Sequence, residues 1–114
     1  MTSGMSTVIH PVRDVEAAQR LYTALLGVEP YVAQPYYVGF RVNGQELGLD
    51  PNGHRSGLTG PVGYWEVESM TEAVERLTAS GATLDGDVTD VGGGKLIARL
   101  RDADGNVFGL MQNP

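Results

Sequence analysis

The sequence predicts an α+β fold built from two β-α-β-β-β modules, and three observations carry that expectation. Two amphipathic helical stretches each follow a short β-rich run, tight turns punctuate what comes after each helix, and the order of signals in residues about 5–50 returns in residues about 62–112. A chain of 114 residues and 12.2 kDa has room for one such domain made of two modules.

The first module opens, after a polar tail at Met1–Gly4, with a strand over Thr7-Val8-Ile9-His10-Pro11-Val12. Asp14 can then cap a helix whose apolar positions Val15, Ala18, Tyr22, Leu25 and Leu26 recur at helical spacing, and Gly27 suits its left-handed end. A strand broken by Pro30 covers Glu29–Gln34. Tyr36–Val42 and Gln45–Asp50 flank Asn43-Gly44, the pair that a type I′ hairpin turn favours because both central residues need positive φ. A polar, Gly-rich connection runs from Pro51 to Pro61.

The second module repeats the order. Val62–Val67 is a strand, Ser69 and Glu72 form a capping-box pair ahead of the apolar stripe Met70, Ala73, Val74 and Leu77, and Gly81 ends the helix. Strands follow over Ala82–Val88, Lys95–Arg101 and Val107–Met111, separated by Gly92-Gly93-Gly94 and by the turn Asp102–Asn106. Val12-Arg13-Asp14 superposes on Val67-Glu68-Ser69, and Leu47-Gly48-Leu49 on Phe108-Gly109-Leu110, so the repeat has a definite register.

Composition removes several function classes. At 41% hydrophobic and 19% charged residues the chain is an ordinary globular sequence rather than a disordered one. Its net charge of −6 repels a phosphate backbone and an anionic membrane surface, so nucleic acid and membranes are not expected partners. There is no apolar run of the ~20 residues a membrane helix needs and no secretion-signal pattern, which points to the cytoplasm. With no cysteine, disulfides, thiolate ligands and thiol nucleophiles are all excluded.

The two-residue turn pairs Val42 with Gln45, Arg41 with Glu46 and Phe40 with Leu47, which separates the faces of the hairpin. Val38, Phe40, Leu47 and Leu49, with Trp65, Val67, Leu100 and Leu110, form an apolar face that belongs under the helices. The opposite face mixes Thr7, Tyr37, Arg41, Glu46 and Gly48 of the first module with Val62, Tyr64, Glu66, Arg99 and Gly109 of the second. Such a face suits a ligand, and the plain alternative is a solvated surface with cross-strand ion pairs.

Pro11-Val12-Arg13-Asp14 leading to Ala17-Ala18 and Tyr22, then Leu25-Leu26-Gly27-Val28, Ser80-Gly81-Ala82 and the closing Arg101–Leu110 resemble the vicinal oxygen chelate superfamily. This is the glyoxalase, bleomycin-resistance and extradiol dioxygenase group, which commonly has Pro where this chain has Ala103. The resemblance implies paired modules forming a curled mixed sheet around a cavity, usually in a homodimer. Metal-dependent members carry His, Gln or Glu at four inward positions, which fall here on Thr7, Gly48, Val62 and Gly109. These are not usual ligands, so neither metal nor other cofactor is expected. His10 has the opposite parity to Thr7 and reads as a satisfied histidine under the helix layer. His54 sits in a polar loop.

The ligand-binding expectation therefore comprises Thr7, Tyr37, Arg41, Glu46, Gly48, Val62, Tyr64, Glu66, Arg99 and Gly109, with no catalytic residue. Gly48 and Gly109 either leave room for ligand or permit close backbone packing. Tyr37 and Tyr64 offer aromatic area, whereas Trp65 has core parity. The function that follows is non-enzymatic binding of a small molecule, with aromatic compounds among the candidates, by a bleomycin-resistance-like protein. The alternatives are a metal-independent lyase or isomerase using Glu46 or Glu66, and an orphan dimerisation module.

Overall fold

A computed structural model describes residues 1–114 and shows eight strands of mixed sheet with two helices. In chain order these are β1 (Thr2–Pro11), α1 (Val15–Leu26), β2 (Val32–Gln34), β3 (Tyr37–Val42), β4 (Gln45–Asp50), β5 (Val62–Val67), α2 (Met70–Ala79), β6 (Thr83–Asp90), β7 (Leu96–Arg101) and β8 (Val107–Gln112). They divide into two compact units, Ser6–Val62 and Met1–Met5 with Gly63–Pro114.

In the unit Ser6–Val62 the strand order is β2-β3-β4-β1, with β1 parallel to β4 and the other pairs antiparallel. The hairpin has the expected register: Val42 faces Gln45, Arg41 faces Glu46 and Phe40 faces Leu47, around Asn43 at φ 49° and Gly44 at φ 80°. The α1 helix starts where Asp14 Oδ1 accepts from the Ala17 amide at 3.0 Å. Val15, Ala18, Tyr22 and Leu26 of α1 pack on Val38, Phe40 and Leu49, which are at most 2% exposed.

In the other unit β1 contributes its first residues beside β5, and β5-β8-β7-β6 follow. The α2 helix starts where Ser69 Oγ accepts from the Glu72 amide at 3.2 Å, and the Met70 amide donates to Gln112 Oε1 at 2.6 Å. Val67, Met70, Ala73, Ala98, Leu100 and Leu110 form the core between α2 and its strands. Neither helix is long and apolar enough to cross a membrane.

Five expectations need correction. Met1–Gly4 is not a free tail: Thr2 onward is strand, its Oγ1 donating to the Glu66 carbonyl, because the edge of β5 offers this backbone partners that water alone would otherwise supply. The Pro-broken strand shrinks to Val32–Gln34, since Pro30 has no amide to give, and pairing begins with the Tyr31 amide on the Gly39 carbonyl. Leu25 does not belong to the packed stripe and is 71% exposed, one residue round the helix from Leu26. Trp65, on the apolar side of β5, lies outside the core cluster and is 39% exposed, because strand parity assigns a face without saying whether α2 reaches that far along it. The polar connection after β4 is partly interior: Leu58 is buried, and the His54 Nδ1 is enclosed with no partner.

Candidate functional site

In the unit Ser6–Val62 the polar face of the β3–β4 hairpin gathers four side chains. Arg41 and Glu46 are register partners next to the turn, and the Arg41 Nε lies 3.7 Å from Glu46 Oε1. Glu46 Oε2 accepts from the Tyr37 hydroxyl at 2.5 Å and from the Tyr31 hydroxyl at 2.8 Å. The Arg41 guanidinium also stacks 3.8 Å from the centre of the Tyr31 ring. Burial first, and then the neighbouring Glu46 carboxylate, push both phenols above the ordinary tyrosine value, Tyr37 by far the more. Both hydroxyls therefore stay protonated at neutral pH and act as permanent donors. Glu46 is thus held through Oε2 by two phenols, while the exposed Arg41 beside Oε1 contributes little to holding it.

Tyr31 was not among the expected site residues. Its only signal was its place beside Pro30 ahead of the short β2, and its role depends on the Gly39 that lies beneath its ring.

The glycines resolve the choice between room and close packing in favour of packing. A Cβ on Gly48 would meet the Tyr37 ring and hydroxyl and, at 2.6 Å, the Ile9 Cδ1. Gly48 pairs with Gly39 on β3 and with Ile9 on β1, so Tyr37 reaches it diagonally. In the other unit Gly109 pairs with Tyr64, whose ring covers it. The repeat thus extends to the covering side chains, since Ile9 and Tyr64 stand at matching positions. Gly48 and Gly109 are correctly placed on this face but do not hold open space.

The remaining expected residues lie in register on their own units. Thr7 faces Glu46 and is 9% exposed, and Val62 is buried. Asp85 of β6, Arg99 of β7, Gly109 of β8 and Tyr64 of β5 form one row across four strands. Glu66 faces Met111 in the next row, and its Oε1 accepts from Asn113 Nδ2 at 2.6 Å. His10 meets α1 as expected: its Nδ1 lies 3.1 Å from the Tyr22 hydroxyl and the rings meet edge-on.

The four positions where chelating relatives hold a metal do not fit one. Val62 and the two glycines have no donor side chain, and aromatic rings occupy the space over both glycines. No three His, Asp or Glu side chains are grouped to hold an ion anywhere in the chain.

The family model of the Glyoxalase/Bleomycin resistance protein/Dioxygenase superfamily matches residues 4–110. The chain belongs to this superfamily. No curated protein shows a significant sequence match. Solved superfamily-like structures agree with the fold at low identity. A Legionella pneumophila protein described as NAD-dependent benzaldehyde dehydrogenase has a TM-score of 0.76 at 17% identity, covering 95% of this chain and 98% of that one. Methylmalonyl-CoA epimerase from Mycobacterium tuberculosis has a TM-score of 0.70 at 19% identity, covering 99% and 89%. A superfamily member from Vibrio splendidus 12B01 has a TM-score of 0.71 at 17% identity, covering 94% and 97%. At such identities these structures share a fold with the chain and nothing finer.

Proposed function

We propose that this superfamily member is a non-enzymatic, metal-independent small-molecule binding protein that works as a homodimer. The observation supporting it most is the state of the two carboxylates available for acid-base work. A general base must be free to take a proton from substrate, yet Glu46 already accepts from Tyr31 and Tyr37, and Glu66 from Asn113. The chelate positions supply no metal-bound route either, since Val62, Gly48 and Gly109 offer no donor atom.

A thermal-shift screen of aromatic antibiotics and metabolites, run with and without chelator, tests this reading. A true ligand raises stability by about 2.7 kcal/mol at a hundredfold excess over its Kd, and chelator leaves that shift unchanged. Turnover of a hit that Glu46→Gln abolishes while affinity survives would replace binding by catalysis. The dimer is expected because Leu21 and Leu25 of α1 stand 62% and 71% exposed on one helix flank and β2 and β6 are open sheet edges. Light scattering checks it, and a mass near 12.2 kDa at micromolar concentration would contradict it.

A further inference from the structure

We propose that Arg99 is a carboxylate-recognition point, so that the ligand of the binding face is a small organic acid. The inference rests on the binding reading above and names the ligand class for its second-module half.

Arg99 differs from the other cations of the chain. Among the lysines and arginines only Lys95 and Arg99 are partly buried, the others being exposed, and only Arg99 of those two stands within a strand. A partly desolvated guanidinium is costly unless it is paired, and strands commonly pair it with an acid directly opposite. Asp85 is that opposite residue, in register with Arg99. Its carboxylate instead goes diagonally to Arg101, with Oδ2 3.3 Å from the Arg101 NH2 nitrogen. Glu66, on β5 of the same unit, is taken by Asn113. Arg101 additionally donates to the Gly105 carbonyl, so it is anchored from two sides, and Arg41 of the other unit has both Glu46 and Tyr31. The Arg99 side chain has no hydrogen bond, ion pair or ring contact of its own.

What flanks it defines the rest of the ligand. The register partner of Arg99 on β8 is Gly109, which the Tyr64 ring covers, so the neighbour of Arg99 on that side is an aromatic face. Ile97 and Met111 face each other in the next row. A planar fork of donors beside an aromatic ring and apolar neighbours fits a carboxylate attached to an apolar or aromatic body. Two parallel N–H donors match two carboxylate oxygens in a way that an ammonium group does not. The net charge of −6 acts against anions at long range, which makes a single short-range cation the determinant of binding.

Benzoate is the probe, and benzamide its neutral counterpart of the same shape. Titration of the full chain, followed by amide chemical shifts, is expected to show benzoate binding at β7 and β8 residues and much weaker binding of benzamide. Arg99→Met should weaken benzoate about ten- to a hundredfold, the range set by a charge-assisted pair, and Arg99→Lys should recover only part of that loss. Arg101→Met provides a second arm that leaves Arg99 in place. With Arg101 gone, Asp85 is free to turn to its register partner, so benzoate affinity should fall, and Asp85→Asn in the same chain should restore it. Equal binding of benzoate and benzamide, unchanged affinity in Arg99→Met, or no benzoate binding would each overturn the proposal. Neutral hits in the thermal-shift screen alongside such a result would leave the binding function standing and remove only its ligand class.

Discussion

At Gly48 a methyl group would have nowhere to go: its Cβ would lie 2.6 Å from the Ile9 Cδ1 and 2.7 Å from the Tyr37 Cε1. Gly109 is tighter still against the Tyr64 ring. Gly48→Leu and Gly109→Leu are therefore expected to destabilise by ~1–3 kcal/mol, the usual cost of overpacking, in chemical denaturation. Gly109→Leu combined with Tyr64→Gly should recover much of the loss, and a stable single variant would show that the rings move aside at no cost. His10 gives a pH signature. Burial holds its pKa below the ordinary 6.5, so over the interval between the two values the unfolded chain binds a proton that the folded chain refuses. Stability should thus begin to fall as pH drops through about 6.5 and stop falling on this account once the folded histidine is charged. The melting temperature of His10→Gln should lack that component, whereas an identical pH profile would mean that burial does not hold the His10 pKa down.

Among the elements, the turn Asp102–Asn106 between β7 and β8 gathers three hydrogen bonds on one carboxylate. Asp102 Oδ1 accepts from the amides of Asp104 and Asn106, and Oδ2 accepts from Asn106 Nδ2. The Asn106 side chain, followed by its amide, holds the Asp102 carboxyl below the ordinary carboxylate value. The contribution is present above that ordinary value and fades as pH falls through the lowered one. Asp102→Ala is expected to loosen the β7–β8 turn at neutral pH, read as faster amide exchange at Gly105 and Asn106 with α2 unaffected. The same locality explains what could be read from sequence. Asn43-Gly44, Asp14 and Ser69 act on backbone atoms within a few residues of themselves, so the hairpin register and both helix starts follow from short spacings. Parity likewise placed Glu46, Gly48 and Gly109 on one face of their strands. It could not say that Tyr37 would lean diagonally onto Gly48, that Tyr31 would reach Glu46 from beyond Pro30, or that Trp65 would escape cover, because each depends on side-chain reach between strands distant in sequence.

For the molecule as a whole, the least local feature is β1. It is a single strand from Thr2 to Pro11, yet Met1–Met5 are grouped with Gly63–Pro114 and Ser6 onward with the first module. Removing Met1–Met5 should strip the Glu66 carbonyl of its Thr2 donor, take the Met5 sulfur from Gly63 and bare one edge of β5. A lowered melting temperature with increased self-association is the expected result, and Trp65 on β5, the sole tryptophan, offers the fluorescence to follow it. Unchanged melting would make the segment dispensable. During translation the stretch Thr2–Met5 has no edge of β5 to pair with until Gly63–Val67 has emerged, so it must wait through the synthesis of an entire module. A bulky group attached close to Thr2 would be carried into that late closure and is expected to slow it.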